Sequence, residues 1–65
     1  MIIEATKDVY LLGTGLRVDA GSHYMAEHAS NQPNWKKRKS VFAEVPGGFI
    51  LLHKGDYVIV REDEE

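Results

Sequence analysis

Val45-Pro46-Gly47-Gly48-Phe49-Ile50-Leu51-Leu52-His53-Lys54-Gly55-Asp56-Tyr57-Val58-Ile59-Val60-Arg61 is the stretch that decides the fold class. It reads as two strands, each opened by a turn. Pro46 presets φ for the second position of a tight turn, and Gly47 can take the positive φ that follows in a type II arrangement. Lys54-Gly55-Asp56 is the second turn signal. The runs at 49–53 and 57–61 have strand length and strand-forming residues. In the first, Ile50 and Leu52 share one face, with Phe49, Leu51 and His53 on the other. A continuous apolar run of this kind predicts a strand covered on both sides.

Working back from there, alternation across 40–45 predicts another strand, with the charged stretch 35–39 as its exposed lead-in. Residues 30–34, Ser-Asn-Gln-Pro-Asn, are loop by composition. Ser22 can cap a short helix over 23–29, His-Tyr-Met-Ala-Glu-His-Ala, which has little β-branching. That helix is shorter than the roughly 12–15 residues an isolated helix needs, so it must dock on the sheet. Residues 10–12 and 16–18 pair as a hairpin around Gly13-Thr14-Gly15, and 2–6 is a first strand. The expected fold is therefore mostly β: a five- or six-stranded antiparallel barrel or barrel-like sheet with one short helix. The step Gly55-Asp56-Tyr57-Val58-Ile59-Val60 is similar in style to strand entries of SH3-like and OB-like barrels. It bears on architecture and names no family.

The chain has 65 residues, no cysteine, and a formal net charge of −2. So short a chain buries only about 60% of the surface its unfolded form exposes. Without disulfides it relies on β closure, self-association or a metal, and a reducing compartment suits it. No apolar run approaches 18 residues and the N-terminal stretch has no secretory pattern, so a cytoplasmic setting is expected. Residues 1–61 read as one domain, followed by a disordered acidic tail, Glu62-Asp63-Glu64-Glu65. Without that tail eight basic residues face six acidic ones, and four of the basic residues are consecutive.

Those four, Lys36, Lys37, Arg38 and Lys39, follow the only tryptophan, Trp35. An indole face for base stacking beside charges that displace phosphate counterions points to nucleic acid. Arg17 and Lys54 are auxiliary candidates. The ordinary alternative is a solvated loop with Trp35 folded into the core, and the acidic tail would compete for the strip. His23, Glu27, His28 and His53 offer metal-ligand chemistry. On a helix, however, His23 and His28 would lie about 140° apart, so neither a metal nor another cofactor is expected. Ser22 and Ser30 lie near histidines in sequence, but a nucleophile needs a base in register and a group orienting that base. Gly13-Thr14-Gly15 lacks the Gly-Lys-Ser/Thr of a phosphate loop. The expected activity is binding rather than catalysis. Its competing form is a protein-interaction module: an adaptor, an assembly component or a small inhibitor of a larger enzyme, of a size that suits a phage or mobile element. The amphipathic aromatics Tyr10, Tyr24, Trp35 and Tyr57 would serve such a surface, and self-association is a third option.

Overall fold

Alternation at the start of the chain sends Ile3 and Ala5 inward and Ile2 and Glu4 outward. In the computed structural model, which describes residues 1–62, that pattern forms strand β1, Ile2–Ala5. A hairpin follows, β2 (Val9–Leu11) and β3 (Leu16–Val18), in the register Val9 to Val18, Tyr10 to Arg17 and Leu11 to Leu16. The Thr14 hydroxyl stabilises its turn by donating to the Leu11 carbonyl at 2.8 Å and accepting the Leu16 N–H at 3.0 Å. Then come β4 (His23–His28), one helical turn α1 (Trp35–Arg38), β5 (Val41–Val45), β6 (Gly48–Leu52) and β7 (Tyr57–Arg61). Among the described residues no helix is long and apolar enough to cross a membrane.

Five strands form one antiparallel sheet in the order β6-β5-β4-β1-β7. Its two halves share β4. The first half of β4 pairs with β1, where Ile3 faces Tyr24, and its second half pairs with β5, where Ala26 faces Ala43. The β2–β3 hairpin folds over this sheet, and β3 packs against β5 and β6. Between these layers lie Ile3, Ala5, Val18, Val41, Ala43, Val45, Ile50 and Leu52, all buried. The hydrogen-bonded ladder does not close into a ring among the described residues: β6 and β7 stand at its two ends.

Three expectations are corrected. Residues 23–29 are not the helix; 23–28 is strand β4, with Tyr24 and Ala26 half-buried and His23, Met25 and Glu27 exposed. A central strand gains backbone bonds on both edges, which outweighs the small helix preference of so short a segment. The one helix instead lies at 35–38, where an extended lead-in was expected. The Ala29 N–H bonds the Ser40 carbonyl at 3.0 Å, so residues 30–39 leave the ladder and must return to it. They turn with Asn34 and Lys39 both left-handed, at φ 60° and 53°. The third correction concerns β6: Ile50 and Leu52 are buried, but Phe49 is 54% exposed and Leu51 half-buried, so only one face is covered. The expected acidic tail lies, from Asp63 onward, outside the described residues.

The turn at Pro46-Gly47 is as its residues demand. Val45 pairs directly with Gly48, leaving two central residues. Proline cannot adopt the positive φ that primed hairpin turns need at their first central position, so the turn must place it at the second. Gly47 has φ 94°. A Cβ there would also lie 3.2 Å from Leu16 Cδ2, on the hairpin that covers the core. Gly47→Val is expected to destabilise the fold by more than about 1 kcal/mol, through strain at positive φ and displacement of Leu16. An unchanged midpoint in chemical denaturation would contradict this.

Candidate functional site

Trp35 opens α1 and its ring lies against His28 at the end of β4, with centroids 5.3 Å apart and planes at 47°. Strand alternation explains the meeting. His28 shares the parity of Tyr24 and Ala26 and pairs with Val41 on β5, but its side chain stays exposed at the end of β4, where the Trp35 ring meets it. Trp35 is half-buried, neither a core plug nor a freely projecting ring. The Lys36 ammonium lies 5.7 Å from the indole centroid, within cation–π range.

These groups form one wall of an open hollow of about 350 Å³ between α1 and β7. Tyr57, Ile59 and Glu62 form the other, and Lys39 completes the lining. Three aromatic rings and two ammonium groups therefore converge on one concavity. Of the five residues singled out in sequence, Trp35, Lys36 and Lys39 line it. Lys37 and Arg38 are exposed on the same turn but outside the lining, because successive residues on a helix point about 100° apart. An extended strip would have alternated them on two faces; the helical turn distributes them around one knob.

Backbone bonds fix the knob. The Trp35 carbonyl accepts the Lys39 and Ser40 N–H groups, and the Lys54 N–H donates to the Arg38 carbonyl at 2.9 Å. The Tyr57 hydroxyl donates to the Lys39 carbonyl at 2.7 Å. Burial first, and the Glu62 carboxylate second, push the Tyr57 phenol above its ordinary pKa. Beneath the knob the Ser40 hydroxyl meets His53 Nδ1 at 2.8 Å. That is the distance of a nucleophile and its base, but Ser40 is 1% exposed. The pair ties the start of β5 to the end of β6. Asp56 secures the next turn. Partial burial would raise its carboxyl, but the His53 N–H and the Lys7 ammonium at 3.0 Å outweigh that and hold it below its usual range.

Lys54, one auxiliary candidate, stands beside α1 through its bond to Arg38. Arg17, the other, is elsewhere: it pairs with Asp19 at 3.2 Å and lines a separate hollow with Tyr24, Val45 and Pro46. The histidines are dispersed. His23 reaches Glu4 on β1 at 3.1 Å, His53 holds Ser40, and His28 lies 3.9 Å from Glu62. His23 and His28, five apart on a strand, have opposite parity. No group of three or more metal-ligating side chains converges among the described residues. Tyr24 serves the fold, its hydroxyl accepting the Asp19 N–H at 2.8 Å, and Tyr10 is exposed on β2.

Sequence reasoning missed His28, Tyr57, Ile59 and Glu62 as cleft residues. Tyr57 and Ile59 carried a usable signal, since alternation along β7 puts them on one face. His28 would have followed from reading 23–28 as a strand. No protein-family model matches the chain, and neither a curated protein nor a solved structure matches it.

Tyr57→Phe keeps the ring and removes only the bond to the Lys39 carbonyl. It is expected to lower stability by about 0.5–1.5 kcal/mol. Urea denaturation of the two proteins side by side checks this, and an identical midpoint would show that the hydroxyl does not anchor the turn.

Proposed function

We propose that the chain is a non-enzymatic binding module of the cytoplasm, an SH3-like small barrel, that takes single-stranded nucleic acid in the cleft between α1 and β7. The observation that carries this reading is the convergence of His28, Trp35 and Tyr57 with Lys36 and Lys39 on one hollow. A base stacks on an aromatic face regardless of sequence, while an ammonium at the rim meets the phosphate that follows. Lys37, Arg38 and Lys54 continue the positive potential beyond the cleft and steer a polyanion toward it. The barrel style is supported by the strand β4, whose two halves pair with different neighbours, and by the hairpin inserted between β1 and β4 that folds over β5 and β6. The absence of cysteine suits a reducing compartment.

Glu62 is the opposing charge. Its carboxylate lines the same hollow, so phosphate must displace or outbid it. This gives the proposal a sign that a generic basic patch would not have: Glu62→Gln should tighten binding.

Binding of a fluorescently labelled oligothymidylate, followed by anisotropy across salt concentrations from ~50 mM upward, tests the proposal. Replacing Lys36 and Lys39 together by alanine should weaken binding and lower the salt slope by about 1.4, roughly 0.7 for each single-strand phosphate left without its ammonium. Trp35→Ala should cost about 1–3 kcal/mol of binding with the slope unchanged, because stacking releases no counterions. Thermal melts of each variant separate weakened binding from impaired folding. Absence of binding by the unaltered protein at ~50 mM salt, where phosphate interactions are strong, would refute the proposal. So would equal effects from the Lys36/Lys39 and Lys37/Arg38 pairs.

A further inference from the structure

The face of the sheet turned away from the core carries a second surface of opposite character. Across β4, β5 and β6 the register aligns Glu27, Phe42 and Leu51 in one row and sets Glu44 opposite Phe49 in the next, with Met25 two residues before Glu27 on the same face of β4. Phe42 and Phe49 meet edge to face, with centroids 6.4 Å apart at 67°. They floor an open groove of about 260 Å³ against Glu27, and Met25 and Glu44 extend it. A sheet face turned to water ordinarily alternates to polar residues. Here Met25 and Phe49 are each 54% exposed. Contiguous exposed apolar surface of this kind marks an interaction site.

The carboxylates identify the occupant. Neither Glu27 nor Glu44 has an ion-pair or side-chain hydrogen-bond partner among the described residues, whereas Glu4 on the same face is held by His23. Two uncompensated acids flanking an aromatic floor favour a cationic neighbour and disfavour an anionic one. They also argue against a second copy of this chain docking face to face. A two-fold axis through the groove would set Glu27 and Glu44 near their own counterparts as water is excluded, a like-charge approach that costs energy on both sides. The five-residue turn Trp35–Lys39 of this chain carries charges of the right sign, but it is anchored by Lys54 and Tyr57 and belongs to the other cleft.

We propose that the groove on the outer face of β4-β5-β6 docks a protein segment that inserts an apolar side chain between Phe42 and Phe49 and sets flanking lysine or arginine against Glu27 and Glu44. The apolar side chain supplies affinity by covering the two rings, and the basic flanks supply selectivity and rate. This surface stands independently of the nucleic-acid cleft. The two lie on opposite faces of β4, whose inward parity leads to His28 and whose outward parity carries Met25 and Glu27.

Selection of a random 12-residue displayed peptide library against the full chain, followed by titration of the enriched synthetic peptides, tests it. Enriched peptides should carry a large apolar residue flanked by lysine or arginine. Phe49→Ala should weaken them tenfold or more, as expected for a central anchor. Glu27→Gln with Glu44→Gln should weaken them about two- to fivefold per charge and flatten the salt dependence. The Lys36/Lys39 double alanine variant should bind them unchanged. If Phe49→Ala fails to fold, the glutamine pair, which removes charge but not volume, decides alone. Failure to enrich any peptide, enrichment of peptides lacking basic residues, or binding abolished only by replacing Lys36 and Lys39 would overturn the proposal. So would a concentration-dependent dimer in sedimentation that Phe49→Ala abolishes, since a second copy would then own the face.

Discussion

The candidate site depends on the hydrogen bonds that reach its turn from outside, the shortest running from the Tyr57 hydroxyl to the Lys39 carbonyl at 2.7 Å. Residues 30–39 leave the sheet between two strands that are hydrogen-bonded to each other up to Ala29 and Ser40. A ten-residue excursion with polar composition has many conformations and little apolar area to select among them. What selects one is the satisfaction of its last carbonyls from outside. The Lys54 N–H takes Arg38, the Tyr57 hydroxyl takes Lys39, and Ser40 is buried under the turn against His53. Each partner comes from β7 or the turn before it. The basic knob is therefore a property of the β6–β7 connection as much as of its own sequence, and the cleft exists because β7 stands opposite.

That dependence has an electrostatic side. The phenol that anchors the turn lies near Glu62, and the same carboxylate approaches His28 across the hollow. Lys36, though exposed, holds its ammonium over the indole. The cleft thus holds both signs of charge, while the outer sheet face holds uncompensated negative charge over aromatic surface. A chain with a net charge of only −2 presents two chemically distinct surfaces through the alternation of its strands.

Much of the fold was legible in sequence because strand periodicity and turn chemistry agreed. Gly47 took the positive φ its place after Pro46 demanded, β7 formed over Tyr57–Arg61 as read, and the hairpin around Gly13-Thr14-Gly15 paired with a shift of one residue. The failures have a common cause. His23 to His28 has weak intrinsic preference, and its strand state comes from neighbours on both edges, one at the start of the chain and one more than a dozen residues onward. Without β4 as a strand, neither the position of His28 nor the helical turn at 35–38 was predictable, although the loop at 30–34 was legible from its composition. The exposure of Phe49 and the incomplete burial of Leu51 were hidden for a related reason. An apolar run shows that a strand is attractive to cover on both faces, but whether a second layer reaches the far face depends on the path of the hairpin, which covers only the inner one. Trp35 and the lysines were visible as residue types; their grouping with Tyr57 and His28 required the fold.

Whether α1 and β7 frame the binding cleft is decided by an amide chemical-shift titration of the 15N-labelled protein with a short oligothymidylate. Saturable shifts are expected at His28, Trp35, Lys36, Lys39, Tyr57 and Ile59, with the Trp35 indole N–H among the largest and the amides of Met25, Phe42 and Phe49 unmoved. Shifts confined to the outer sheet face, or spread evenly over the lysines and arginines without Trp35 and Tyr57, would contradict a cleft between α1 and β7.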